Sequence, residues 1–213
     1  MSLWSIVPVR GLAAGKSRLA QLLGPHERRA LNAMLLDRVL DAIEGCNGDL
    51  SRCVVASADA DALELALKRG ALPMADASDS GLNAALEAAR GAVRAQSATS
   101  LLVLVADLPE ANSDALARLR NQTPPHGAAI IADKKGTGTN GLLLPADCRV
   151  NFAFGEASLE RHRQAIRAAG MEVTVWSDPA LSFDIDTPSD YREWQARSAK
   201  TSSGIRSTDS IRK

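Results

Sequence analysis

Aromatic residues are scarce, only 3% of the chain, which removes the stacking platforms on which single-stranded nucleic-acid binders rest. Neither sign of charge is in excess. Lys+Arg and Asp+Glu both number 25, so no global field draws the chain to nucleic acid or an anionic membrane, and any phosphate recognition must be local. Cysteine is rare and odd in number: Cys46, Cys53 and Cys148 lack the C-x-x-C spacing of zinc or redox sites, which suits small buried thiols in a reducing cytosol. The longest apolar run, Leu101 to Ala106, stops at Asp107, far short of the roughly 20 residues needed to cross a bilayer. The opening Met1-Ser2-Leu3-Trp4 enters a strand pattern without the charged start and apolar run of a signal peptide, so a cytoplasmic protein is expected. No internal repeat is present, which excludes a solenoid. His26, His126 and His162 lack the mutual context of a triad or a zinc site and read as structural or surface residues.

What is there is an alternation of short apolar runs with amphipathic stretches. Leu3 to Val9 is a buried strand ended by Arg10-Gly11. Pro25 to Ile43 keeps a 3.6-residue apolar beat between Gly24-Pro25 and Gly45, which predicts a helix. A strand over 53–56, a helix capped by Asp59 and stopped at Gly70, and an Ala-rich helix from Gly81 to Gln96 follow. Leu101 to Val105 reads as a strand buried on both faces, and Ser113 to Arg120 as a helix. The runs 128–132 and 142–144 flank a loop from Asp133 to Gly141 in a hairpin-like arrangement. A helix over 158–169, a strand over 172–176 and a helix from Pro188 to about Arg197 complete the set. The 213 residues suit one domain, able to bury about 70% of its unfolded surface. The pattern predicts an α/β fold over residues 1–197: a mostly parallel sheet covered on both faces, with ligands beyond the carboxyl ends of the strands. Residues 198–213, rich in Ser, Thr, Lys and Arg, are expected to be a disordered tail.

Three groups of residues carry chemistry. Pro8-Val9-Arg10-Gly11 followed by Gly15-Lys16-Ser17-Arg18 puts glycines and cations directly after a strand, the composition of a phosphate cradle. A Walker A loop is excluded, because three residues separate Gly11 from Gly15 where that motif needs four. Asp107 ends a buried strand, and Asp184 and Asp186 stand at i and i+2 before Thr187-Pro188. Acids from two segments at one sheet edge can hold Mg²⁺, although capping of the helix begun by Pro188 competes for one of the pair. Gly136-Thr137-Gly138-Thr139-Asn140-Gly141 and Phe154-Gly155-Glu156-Ala157-Ser158 offer hydroxyls and amides. The second opens a helix whose positive end can take an anion, with Arg161 one turn on. With no placed histidine, the chemistry best suited is transfer to an acceptor already ionised, which needs alignment and charge neutralisation rather than a base.

These segments, with Gly81-Leu82-Asn83, Ala106-Asp107-Leu108-Pro109 and Asp184-Ile185-Asp186-Thr187-Pro188 in the same order, resemble the 2-phospho-L-lactate guanylyltransferase family of deazaflavin coenzyme F-420 biosynthesis, within the GT-A-like nucleotidyltransferases. The resemblance spans Trp4 to about Tyr191 and implies a single-domain, Rossmann-like three-layer αβα sandwich. It implies transfer of GMP from GTP to a phosphorylated three-carbon acid, with Mg²⁺ as cofactor. By position, Pro8, Val9, Arg10, Gly15 and Lys16 would bind the nucleotide, with Lys16 and Arg18 on its phosphates and Gly81 and Asn83 near guanine and ribose. Asp107, Asp184 and Asp186 would hold the metal, with Lys16, Arg18 and Asp107 acting in catalysis, and Thr139, Gly155 and Ser158 would receive the phospho-acid. Arg10 departs from the family's usual lysine, which keeps charge but not geometry. The partners implied are small molecules, with no nucleic acid and no membrane, and a homodimer as the base-rate assembly. Related molybdopterin or sugar-phosphate nucleotidyltransferases using CTP or UTP, and a non-catalytic GTP-binding module, are the alternative readings.

Overall fold

A computed structural model describes residues 2–13, 15–76 and 81–206, with side chains described as far as residue 200. In chain order the elements are β1 (Leu3–Val9), a 3-10 turn (Ser17–Gln21), α1 (Pro25–Asn47), β2 (Cys53–Ser57), α2 (Ala60–Lys68), β3 (Leu72–Ala75) and α3 (Leu82–Arg94). They continue with β4 (Ser100–Leu104), α4 (Ser113–Gln122), β5 (Ala128–Ala132), β6 (Thr139–Pro145), α5 (Ser158–Ala168), β7 (Val173–Trp176), α6 (Pro179–Ser182) and α7 (Pro188–Arg206). The seven strands form one sheet in the order β3-β2-β1-β4-β6-β5-β7. All run parallel except β6, which is antiparallel to both neighbours, so the sheet is mixed and mostly parallel, as expected.

Period-2 alternation sorts β1 onto two faces. Val7 and Val9 pack with Leu36, Leu40, Ile43, Ala66 and Leu116 of α1, α2 and α4. Trp4 and Ile6 pack with Leu86, Val93 and Ile166 of α3 and α5 on the other face. Two cores sharing one sheet make the three-layer αβα sandwich. A third, smaller cluster joins Leu19, Leu23, Leu31 and Leu35 to Phe183 and Ile185, with Tyr191 and Trp194 against it. It ties the opening loop, α1 and α7 to the acidic segment between them.

Four differences from the sequence reading have physical causes. The strand β3 is absent from it because Leu72-Pro73-Met74-Ala75 is short, contains proline and is mostly exposed, the signature of an edge strand. The four-residue α6, capped by the Asp178 side chain at 2.9 Å from Ala180 N, is likewise new. Strand β6 begins at Thr139 rather than Leu142, so Thr139, Asn140 and Gly141 belong to the sheet. Gly141 is there for close approach, since a Cβ would lie 2.7 Å from the Val103 carbonyl oxygen and 2.8 Å from Ile131 Cδ1. Finally, α7 runs past Arg197 to Arg206, where the sequence pattern placed its end at about Arg197. No proline or glycine interrupts residues 189–203, and Arg197 lies over the Phe183 ring at 4.3 Å. Residues 207–213 of the expected tail lie outside the described residues. All three cysteines are free, and among the described residues no helix is long and apolar enough to cross a membrane.

Candidate active site

The carboxyl edge of the sheet is where the chemistry-bearing segments meet. Strand β1 delivers the loop that follows it, β4 delivers Asp107, β5 delivers Asp133, and antiparallel β6 enters from the same edge with Thr139. The loop is held from below: Leu12 N–H donates to Asp59 Oδ2 at 2.7 Å, and Asn32 Nδ2 donates to the Leu12 carbonyl at 2.7 Å. Asp59 also caps α2 through Asp61 N–H at 2.9 Å. Burial opposes its charge, but amides of Leu12, Asp61, Ala62 and Ala13 more than offset that and keep its pKa below the ordinary value. Gly15 N–H closes the turn on the Gly11 carbonyl at 3.1 Å. A Cβ at Gly15 would sit 2.8 Å from both that oxygen and Asn32 Nδ2, so the turn demands glycine. Ala14 lies outside the described residues. Lys16 follows in the left-handed region, φ 58° and ψ 42°, uncommon for a residue with a side chain.

That conformation aims Lys16 at the acids. Its Nζ donates to Asp107 Oδ2 at 2.9 Å, and Arg18 Nη1 donates to Asp186 Oδ2 at 3.0 Å. The first pair is largely enclosed and the second is open to solvent. Asp107, Asp184 and Asp186 each present a carboxylate oxygen, all within 4.8 Å of one another. A backbone link holds the two segments together, Ile185 N–H donating to the Asp107 carbonyl at 3.2 Å. Burial first, then the charges of Asp107, Asp186 and Asp133, push the Asp184 carboxyl up to about 6. Crowded, partly desolvated carboxylates of this kind are the donor set a hard divalent cation takes. The chain's residues therefore fit Mg²⁺.

Neither Asp184 nor Asp186 caps α7. Thr187 and Asp190 form a capping box: Thr187 N–H donates to Asp190 Oδ2 at 2.7 Å and Asp190 N–H donates to Thr187 Oγ1 at 3.3 Å. Asp190 also accepts from Asp186 N–H at 3.1 Å and from Lys134 Nζ. Burial opposes its charge, yet the bonds from Lys134, Thr187 and Asp186 bring its pKa down to about 2. The signal was in the sequence, since Thr-Pro-Ser-Asp is a helix-start pattern with proline at the first helical position.

A cleft of about 250 Å³ opens beside the acids, lined by Asp107, Asp133, Thr139, Gly155, Ser158 and Asp184 among others. The metal-binding and acceptor groups read from the sequence thus share one cavity. Phe154 walls it, held by Asn83: Nδ2 donates to the Phe154 carbonyl at 3.2 Å and Phe154 N–H donates to Oδ1 at 2.8 Å. Asn83, expected near guanine and ribose, here fixes the backbone of Phe154 at the edge of the cleft. The start of α5 offers less backbone than expected. Ser158 N–H donates to the Gly155 carbonyl and Leu159 N–H to the Thr137 carbonyl, each at 3.2 Å, and the Arg161 guanidinium turns back onto the Glu156 carbonyl. Thr139 and Ser158 line that wall as buried polar residues. Val9 is packed in the core and Pro8 is paired in β1, so both offer backbone at most, while Arg10 and Gly81 are exposed beyond the strand ends. Sequence reasoning missed Asp133, Asp190, Lys134, His162 and the buried Asn140, whose Nδ2 donates to the Leu181 carbonyl at 3.1 Å. Asp190 belongs to the Thr-Pro-Ser-Asp helix start and Asn140 to the Gly-Thr-Gly-Thr-Asn segment, whereas Asp133, Lys134 and His162 lie in no motif with a spacing of its own.

A larger groove of about 600 Å³ lies between α1 and α2. Its acids are already matched by cations, Arg29 to Asp61 at 2.6 Å and Arg69 to Asp37, Asp41 and Glu44, so it holds the two helices together and lacks the charge imbalance of the acidic cleft.

Residues 3–204 match the family described as "Guanylyl transferase CofC like". A phosphoenolpyruvate guanylyltransferase of Sphaerobacter thermophilus is 36% identical over 193 residues, covering 91% of this chain and 92% of that protein. One of Rubrobacter xylanophilus is 38% identical over 199 residues, covering 92% and 95%. Among solved structures, a putative nucleotide-diphospho-sugar transferase from Desulfovibrio desulfuricans G20 superposes with a TM-score of 0.70 at 17% identity, over 88% of this chain and 84% of that one. A nucleotidyl transferase from Methanothermobacter does so with 0.68 at 15% identity, over 94% and 99%. These likenesses agree with a GT-A-like fold, and the chain belongs to the guanylyl transferase CofC-like family of nucleotidyltransferases.

Proposed function

We propose that the chain transfers GMP from GTP to a phosphorylated three-carbon acid, with phosphoenolpyruvate the first candidate, as a step in deazaflavin coenzyme F-420 biosynthesis. The observation that carries this reading is the shared cleft: cations from the β1 loop on one side, three converging carboxylates below, and the Thr139, Gly155 and Ser158 wall opposite. The guanylyl donor and the acid follow the names of relatives that align over nine-tenths of the chain. 2-Phospho-L-lactate and 3-phospho-D-glycerate are the competing acceptors, and they differ from it by groups worth on the order of 1–3 kcal/mol of discrimination.

The acceptor's phosphate oxygen attacks the α-phosphorus of GTP in line, forming a new P–O bond as the bond from that phosphorus to the β-phosphate bridging oxygen breaks and pyrophosphate leaves. The attacking oxygen is already ionised, so no side chain needs to remove a proton. Lys16 and Arg18 pair with the acids and would offset the charge of the leaving group. Asp107, Asp184 and Asp186 would hold Mg²⁺, which when bound neutralises phosphate charge. Thr139 and Ser158 orient the acid, and alignment of two bound anions is the main catalytic effect asked of the protein.

The test is pyrophosphate release from GTP and Mg²⁺ with each of the three acids in turn, with ATP and CTP as controls. Release with GTP and phosphoenolpyruvate well above the other combinations is expected. Release with CTP and none with GTP, or GTP binding without release for any acid, would overturn the proposal.

A further inference from the structure

His162 is fully buried and sits between two partners whose chemistry fixes its state. Ala153 N–H lies 2.9 Å from Nε2. A backbone amide only donates, so Nε2 must present its lone pair, the ring is neutral, and its hydrogen is on Nδ1. Nδ1 in turn lies 3.0 Å from Thr139 Oγ1. With the hydrogen on Nδ1, the ring donates and the Thr139 hydroxyl accepts, so the hydroxyl's own hydrogen points elsewhere. The surroundings hold the ring in that state. Burial, with a smaller contribution from the Arg161 charge, pushes its pKa down to about 4, and the Phe154 ring meets it edge-on at 4.9 Å between centroids.

We infer that His162 is a positioning residue that turns the Thr139 hydroxyl hydrogen away from the ring and biases it to donate toward the oxygen of an anionic acceptor. The inference rests on the reading of Thr139 and Ser158 as the acceptor wall. A threonine hydroxyl left alone is free to rotate and can either donate or accept. When it is tied to Nδ1–H, one of its two lone pairs is filled and its hydrogen is left to give away from the ring, and Thr139 lines the cleft beside Ser158 and the acids. The relay Ala153 N–H to His162 to Thr139 makes a chain of donors pointing one way, each polarising the next. Such a wall favours carboxylate or phosphate oxygens and disfavours acceptor molecules that present an N–H or a hydroxyl hydrogen there. The relay also couples the 152–154 segment to β6, because Ala153 lies between the two phenylalanines that pack in the core beneath.

The test is a double-mutant cycle read by pyrophosphate release, with phosphoenolpyruvate varied at saturating GTP and then the reverse. His162→Gln keeps an oxygen for Ala153 N–H but no donor in the place of Nδ1, and His162→Asn keeps that donor. The expected result is a phosphoenolpyruvate KM raised roughly tenfold in His162→Gln, the size of losing one hydrogen bond to a charged group. The GTP KM is unchanged, His162→Asn is affected less, and His162→Gln adds nothing once Thr139→Val is present. A full-sized effect of His162→Gln in the Thr139→Val background, or an equal rise in the GTP KM, overturns the inference while leaving the acceptor wall intact. An unchanged phosphoenolpyruvate KM in Thr139→Val alone overturns the wall and the inference with it. Should His162→Gln fail to fold, ¹⁵N correlation spectra of the unaltered protein at pH 7 decide. A hydrogen on Nδ1 of His162 is expected, and one on Nε2 overturns it.

Discussion

At the level of single residues the site is organised by opposing charges held close. Asp107 accepts from Lys16 and completes the acid cluster, so Asp107→Asn is expected to lower turnover about a hundredfold or more, with circular dichroism and melting temperature little changed. Near-normal turnover with full Mg²⁺ dependence would remove Asp107 from the metal site. Asp184 makes a prediction about pH. Its folded-state pKa is raised from 3.8 to about 6, so the folded chain binds its proton more tightly than the unfolded chain does. The stability this gives is present in full below the ordinary carboxylate range and is lost as pH rises through 6. Without metal at pH 7.5, Asp184→Asn should therefore be more stable than the unaltered chain, by about 2 kcal/mol after allowing for its partial exposure. At pH 3.5 the two should melt together. Thermal melts at both pH values, repeated with Mg²⁺, check this, and the unaltered chain should gain from the ion where Asp184→Asn does not. Asp107, Asp184, Asp186, Lys16 and Thr139 could all be picked out in the sequence because each lies in a short motif: Asp107 and Thr139 at strand ends, Lys16 in the loop after β1, and Asp184 and Asp186 in the turn before α7. His162 and Lys134 could not, because their partners Thr139 and Asp190 lie 23 and 56 residues away, and no local spacing encodes such contacts.

Among elements, the decisive unit is the turn from Phe183 into α7. The Asp190 carboxylate gathers the amides of Asp186 and Thr187, the Thr187 hydroxyl and the Lys134 ammonium, while Lys134 and Arg197 lie over the Phe183 ring at 5.0 and 4.3 Å. Asp190→Ala removes the cap and leaves Lys134 half-enclosed without its main partner. A loss of about 2–3 kcal/mol in urea unfolding is expected, with weaker Mg²⁺ binding by calorimetry because the Asp186 backbone is no longer held. Unchanged metal affinity would show that the acids are placed without this cap. The helix itself was predicted from Pro188, but its role in aiming Asp186 was hidden. The cap was sought among Asp184 and Asp186, whereas the true capping acid lies inside the helix, at the third position after Thr187. The same limit applies at α5, whose amides looked free from sequence and are bonded to Gly155 and Thr137 once the chain is folded.

Across the whole molecule, the site exists because the parallel half of the sheet, β3-β2-β1-β4, meets one antiparallel strand, β6. Antiparallel entry brings Thr139 to the edge where β1 and β4 end, so it lines the same cleft as the acids. Gly141 is the contact at that seam, and Gly141→Ala should force β4 and β6 apart at a cost of about 1–3 kcal/mol. Activity should fall more steeply than stability, since Thr139 and Asp107 would shift relative to each other. Melting temperature and turnover measured on one preparation check this, and a variant as stable and active as the parent would refute it. By itself the amino-acid sequence determined the alternation of strands and helices, the two faces of the sheet and the identity of most chemically able residues. These follow from local periodicity, capping and turn chemistry, which act over a few residues. The tertiary structure alone decided the strand order, the direction of β6, and which polar groups are already satisfied by distant partners. Those depend on contacts between segments far apart in the chain, whose free energies appear only when the core closes.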